Sequence, residues 1–218
     1  MKGLLIKDFR LLGVQKNFFF VILVVAVGIS IISEDSLFMV GFLSLVMSLF
    51  TLSTISYDEF DNGNAFLFTL PISRGGYAVE KYCFGLLLGG GTWILAMLAA
   101  FMISGFKGTI SVPNSLISGL AILPVMLLMQ AVMIPFQLKY GGEKGRIAMI
   151  GTFGALGVIG IIMVKGAKSL FNIDLINVFN TLSTLNMSVL ILIALIFALI
   201  CLFVSLKVSI TIMKCKEL

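Results

Sequence analysis

Residues 57–83 read YDEFDNGNAFLFTLPISRGGYAVEKYC and lie between two long apolar runs. They are the most charged and most punctuated interval of a chain that is 60% hydrophobic. Asp58, Glu59, Asp61 and Glu80 fall inside it, with Arg74 and Lys81. Residues 63–70 have the spacing for about two helical turns that cluster Phe66, Leu67 and Leu70. Pro71 interrupts that run. Ser73 has the side chain of a helix N-cap, and the helix it starts carries Arg74, Tyr77, Glu80 and Lys81 into the next apolar run. Two readings fit. Either an apolar knob in a charged loop waits for a partner, or a small amphipathic helix rests on lipid headgroups.

The flanking runs set the class. The chain has 218 residues and 11% charged residues, against about 25% in soluble domains. Its mean hydropathy is +1.16. Six runs approach the roughly 20 residues that cross about 30 Å of hydrocarbon: 18–32, 37–55, 84–103, 116–138, 147–164 and 189–206. Segments of that length that satisfy their backbone in lipid are helices, so the expected fold is an all-α polytopic membrane protein with six transmembrane helices. No space remains for a large soluble domain, and residues 1–218 are read as a single transmembrane domain. Pro124 and Pro135 interrupt the fourth run and are expected to kink it.

Residues 2–16, KGLLIKDFRLLGVQK, place Leu5, Phe9 and Leu12 on one face with Leu4 and Leu11 beside them. That pattern predicts an interfacial helix over 1–16 with its bases toward anionic lipid. A cleaved signal peptide is disfavoured, because Ile31-Ile32-Ser33 is a poor cleavage site. Residues 165–187 alternate apolar and polar groups at helical spacing. They read as an external re-entrant segment or as a surface helix.

Basic residues fix the expected orientation. With six spans, one side holds Lys2, Lys7, Arg10, Lys16, Arg74, Lys81, Lys139, Lys144, Arg146, Lys207, Lys214 and Lys216. The other holds Lys107, Lys165 and Lys168. The first side is therefore read as cytoplasmic, with both termini inside. The pI of about 9.2 reports this topology and not nucleic-acid binding. Cys83, Cys201 and Cys215 are too few and scattered for a disulfide framework.

Composition excludes most chemistry. Histidine is absent, and no Gly-rich phosphate loop, Ser/His/Asp set or metal-ligand cluster is present, so no catalytic or metal-binding residues are assigned. No ionisable residue lies near the middle of a span, which argues against a proton relay or voltage sensor. Uphill transport would need energy from another subunit. Ser44, Ser48 and Thr51 share a helical face in the second span, and Gln130 lies inside the fourth. They line a pathway or dimer seam, or they bond to their own backbone. Gly85 and Gly89, and Gly151 and Gly154, have the spacing of close helix packing.

Asp58-Glu59, Leu70-Pro71-Ile72-Ser73-Arg74 and Glu80-Lys81-Tyr82, together with the opening LLIKDFRLL, resemble the cytoplasmic segment and first helix of small ABC-type exporter permeases. Within that family the chain is similar to the permease subunits of phenol-soluble modulin peptide exporters. Gly75-Gly76 depart from the pattern and blur the start of the third helix. The resemblance implies an elbow helix first, and a coupling helix between spans two and three within residues 57–83. It implies a pair of permease copies on two separate ATPase subunits that hold ATP and magnesium, with no cofactor in this chain. The coupling segment contacts the ATPase, and Asp58, Glu59, Phe66, Phe68, Leu70 and Arg74 are the residues assigned to that contact. The expected function is export of amphipathic peptides or similar apolar cargo from a bacterial plasma membrane. A non-transporting immunity or sensor scaffold that sequesters a peptide is the rival, and a channel or holin a third.

Overall fold

The structure is a computed structural model, and it describes residues 2–32, 37–60, 63–107, 112–141, 151 and 186–216. The fifth expected span apart from Gly151, the turn at 142–146 and nearly all of the segment 165–187 lie outside the described residues.

Helix α1 covers Lys2–Val14 and α2 covers Lys16–Ile32, with a 67° bend between them. Then come α3 (Leu37–Glu59), the short α4 (Gly63–Leu67), α5 (Arg74–Lys107), α6 (Val112–Leu120), α7 (Ile122–Tyr140) and α8 (Met187–Cys215). Four stretches are long and apolar enough to cross a membrane: α3, α5, α6–α7 from Leu116, and α8; the bent α1–α2 pair is a possible fifth. The chain is an all-α polytopic membrane protein with four, or with that pair five, such spans among the described residues.

The core lies where α3, α5, α7 and α8 meet. Ile55, Tyr77, Tyr82, Met126, Ile134, Leu138, Leu202 and Met213 form one buried cluster, joined by Leu4 from α1. A second cluster joins Ala26 of α2 to Met39, Val40, Ala96 and Met97. Outward faces stay apolar: Phe197, Ile200, Phe203 and Val204 of α8 are exposed, as a bilayer-facing helix requires.

Proline sets both irregularities of the fourth span. Pro124 has no N–H for the carbonyl of Leu120, and its ring crowds that carbonyl. The helix breaks there: α6 ends at Leu120 and α7 restarts at Ile122. Trp93 Nε1 donates to the carbonyl of Gly119 at 2.9 Å, filling one of the acceptors that the broken end leaves open. Pro135 sits inside α7 and leaves the carbonyl of Ala131 without its helical donor. The hydroxyl of Ser205, on α8, donates to that carbonyl. The same hydroxyl is 2.6 Å from Tyr82 Oη, which also lies 2.8 Å from Ser209 Oγ. The vacancy made by one proline thus ties α5, α7 and α8 together.

Helix α5 runs 34 residues, about 51 Å at 1.5 Å per residue. That exceeds the roughly 30 Å hydrocarbon core, so several turns project beyond it. The third expected span, 84–103, thus covers only the middle of this helix. Ser73 caps its start: the N–H of Gly76 donates to Ser73 Oγ at 3.1 Å. A Cβ on Gly76 would stand 2.7 Å from that oxygen, so the glycine that breaks the resemblance serves the cap.

Candidate functional site

The end of α3, all of α4, the start of α5 and the ends of α7 and α8 converge at one end of the bundle. The middle of α1 lies against them. This is where the charged stretch of the sequence resides, and Asp58, Glu59 and Lys81 of that stretch are held in ion pairs.

Lys81 is fully buried. Its ammonium lies 2.5 Å from Asp8 Oδ2 and 2.8 Å from Asp58 Oδ2, and it donates to Thr54 Oγ1 at 3.1 Å. Lys7 pairs with Asp58 on the other carboxylate oxygen and lies 3.2 Å from Asp8. Tyr77 donates its hydroxyl to Asp58 at 3.0 Å. Two lysines and two aspartates from α1, α3 and α5 form one cluster. Lys7 therefore turns toward protein carboxylates, where the sequence pattern aimed it at lipid. Glu80 is buried beside them, 3.7 Å from Lys81, and its carboxylate oxygens have no hydrogen-bond partner among the described residues.

A second clasp joins the helix ends. Lys216 Nζ lies 2.7 Å from Glu59 Oε1 and donates to the carbonyl of Leu138 at 3.0 Å. Arg74 Nη1 donates to the carbonyl of Lys216 at 2.6 Å and that of Lys214 at 3.4 Å. Both cations serve carbonyls that helix termini leave open. Gly141 ends α7 at φ 79°, where a Cβ would come 2.8 Å from Glu59 Oε2.

The short α4 is held between these clasps. Leu67 and Phe68 pack against the main core. The Phe68 ring meets Tyr77 edge-on at 5.7 Å between centroids, and the Arg74 guanidinium lies 5.9 Å from its centre. Turn bonds from Thr69 N to Phe66 O and from Leu70 N to Leu67 O continue the coil past α4. This leaves Phe66 72% exposed and Leu70 44% exposed. The expected cluster of Phe66, Leu67 and Leu70 is therefore divided: Leu67 anchors, and the other two project.

Of the six residues assigned to an ATPase contact, Phe66 and Leu70 offer free apolar surface. Asp58, Glu59, Phe68 and Arg74 are engaged within the chain. Ser44, Ser48, Thr51 and Gln130 are buried inside this one chain. Ser44 and Thr51 donate to carbonyls of their own helix, and Gln130 Nε2 donates to Ser48 Oγ across to α3. All four are turned into the bundle of this chain. Gly85 and Gly89 admit them: a Cβ at Gly85 would meet Thr51 Oγ1 at 2.9 Å, and one at Gly89 would meet Ser48 Cβ at 2.9 Å. A Cβ at Gly151 would meet nothing within 4 Å among the described residues, and Gly154 is outside the described residues. Cys83, Cys201 and Cys215 are free thiols.

Sequence reasoning passed over Asp8, Ser205 and Ser209. Asp8 left a signal, standing four after Leu4 and three before Leu11 on the apolar side of α1. Ser205 and Ser209 are one turn apart in an apolar run.

No curated protein matches the chain, and no solved structure does. Residues 3–214 match the family described as ABC-2 family transporter protein. The match spans nearly the whole chain, including α1 and the converging helix ends. The chain belongs to the ABC-2 family transporter proteins, as a membrane permease rather than an ATPase.

Proposed function

We propose that this chain is the transmembrane permease subunit of an ATP-driven exporter, and that α4 and the turn after it are its docking point for a separate ATPase. The carrying observation is the contrast within that segment. Phe66 and Leu70 project from this short helix and the turn after it, while Leu67 and Phe68 between them are fixed in the core. An ATPase pushing on Phe66 moves Phe68, hence Tyr77 and Arg74, hence the start of α5 and the end of α8. The edge-on ring contact and the two clasps carry displacement from the surface into three spans.

In the working complex two permease copies, identical or related, sit on two ATPase subunits, and ATP binding in the ATPases draws the two α4 segments together. The fold is completed by six spans with α1 as an elbow helix, and both termini lie on the cytoplasmic face of a bacterial plasma membrane. The cargo class is amphipathic peptides or similarly apolar molecules. The apolar outward faces and the absence of an ionisable relay in mid-span support that choice.

The test is purification of the tagged permease from cells that also express the ATPase encoded beside it, followed by reconstitution. The reading expects a stable complex and peptide export that requires ATP. A permease that purifies alone, and holds peptide without nucleotide-dependent release, supports a sequestering scaffold.

A further inference from the structure

The lateral face between α7 and α8 carries an open groove of about 570 Å³ near the converging helix ends. Its walls include Val208 and Ile212, and it is bordered by Lys139, Lys207 and Lys216. A second hollow shares Lys139, Val208 and Ile212 with it and extends along Pro135 and Phe136. The two adjoin along these shared residues, with mostly apolar walls and with Lys139, Lys207 and Lys216 on the first.

The lysines differ in their engagement. Lys216 is neutralised by Glu59. Lys139 and Lys207 have no carboxylate partner among the described residues; the Lys139 ammonium rests 5.1 Å from the centre of the Tyr140 ring. Lys207 stands eight residues before the end of α8 at Cys215, about 12 Å up the helix. One turn above it Phe203 and Val204 are exposed apolar surface, as is Val208 beside it. A lysine at that height on a bilayer-facing helix lays its stem along apolar surface and directs its ammonium to the headgroup level. The anion present at that level is a phospholipid phosphate.

We infer that this groove is a binding site for one anionic diacyl phospholipid, its phosphate held between Lys139 and Lys207 and an acyl chain lying along Phe136, Val208 and Ile212. Basic pockets between membrane helices recognise such headgroups by charge. A lipid fits better than a soluble acidic peptide, because the apolar half of the groove continues into the exposed strip of α8. The inference holds whatever cargo the protein moves. Its consequence is that the α7–α8 contact, which includes the Ser205 bond to the Pro135 kink, has a lipid seated at its outer edge.

The experiment is native mass spectrometry of the detergent-purified protein titrated with phosphatidylglycerol, with phosphatidylcholine of the same chains, and with inorganic phosphate. The expected result is retention of one phosphatidylglycerol in preference to phosphatidylcholine, with no displacement by millimolar phosphate. Each of Lys139→Gln and Lys207→Gln weakens retention about fivefold, and the pair about twenty-fivefold. Lys214→Gln, an exposed lysine on the same helix end outside the groove, leaves it unchanged. Lys139→Arg with Lys207→Arg retains the lipid, which controls for any loss of fold in the Gln pair. Equal retention of the two lipids, or undiminished phosphatidylglycerol in a folded Gln pair, overturns the site. Displacement by phosphate overturns the lipid assignment in favour of a free anion. Loss of a dimer in the Gln pair with unchanged lipid overturns it in favour of a second copy.

Discussion

Lys81 Nζ lies 2.5 Å from Asp8 Oδ2, and neither side chain reaches the surface. The two residues are 73 positions apart, so this ion pair fastens the first helix to the root of α5. It is placed where a charge without its partner has no water to fall back on. Removing one member of such a pair typically costs about 3–5 kcal/mol.

Lys81→Met should therefore be the most damaging change in the cluster. It leaves Lys7 as the one cation beside Asp8 and Asp58 among the described residues. Asp8→Asn should cost less, because Lys81 keeps Asp58 at 2.8 Å. Lys7→Gln should cost least, its side chain being 35% exposed. Apparent melting temperatures in detergent, all three variants side by side, give the order directly.

The Ser205 bond at the Pro135 kink makes a coupled prediction. Ser205→Ala leaves the buried carbonyl of Ala131 unbonded, a loss of about 1–3 kcal/mol. Pro135→Ala restores an N–H at position 135 for that carbonyl. The double variant should then lose less than the two single losses summed. A double-mutant cycle on thermal unfolding measures this, and strict additivity would mean that the two residues do not share the acceptor.

The glycines of α5 should separate by face. Gly85→Ala forces a methyl against Thr51 and Gln130 and should cost about 1–3 kcal/mol. Gly90→Ala meets nothing within 4 Å among the described residues and should be neutral, or stabilising by up to about 1 kcal/mol through helix propensity. Expression level and melting temperature of the two variants check the difference.

Orientation has its own test. Single cysteines near Asn114 and Ser169, in a background without the three native cysteines, should react with an impermeant thiol reagent added outside the cell, and one at Asn62 should not. The reverse pattern would place the converging helix ends outside.

Much of this architecture was legible in the hydropathy of the chain. Run 37–55 became α3, run 116–138 matches the span from Leu116 to Tyr140, and Ser73 caps α5 as its position implied. The extension of α8 past residue 206 to Cys215 was not legible, because counting apolar residues stops at a charge, here Lys207. Glu80 and Lys81 do ride on the helix that Ser73 starts, but nothing in their spacing shows that its first turns are buried by α1, α3 and α8. The clasps were hidden for a related reason. Asp8 with Lys81, Arg74 with the end of α8, and Lys216 with Glu59 pair across 73 to 157 positions, and no local spacing announces such partners. The second-span hydroxyls show the converse. A polar face on an apolar helix reads equally as a pathway or as backbone-bonded packing, and here the small Gly85 and Gly89 draw that face into the bundle.

The central claim is that α4 transmits force from an ATPase, and the projecting ring of Phe66 tests it most directly. A buried aromatic anchor truncated at an interface costs roughly 2 kcal/mol or more, about thirtyfold in affinity. The measurement is ATPase association and ATP-driven export for Phe66→Ala and Leu70→Ala, with Thr69→Ala as an exposed neighbour, all at matched permease levels. The account predicts that Phe66→Ala and Leu70→Ala lose both association and export, that Thr69→Ala keeps both, and that all three insert normally, because no span is altered. Normal association and export in Phe66→Ala and Leu70→Ala would contradict it, and α4 would then be a helix resting on lipid.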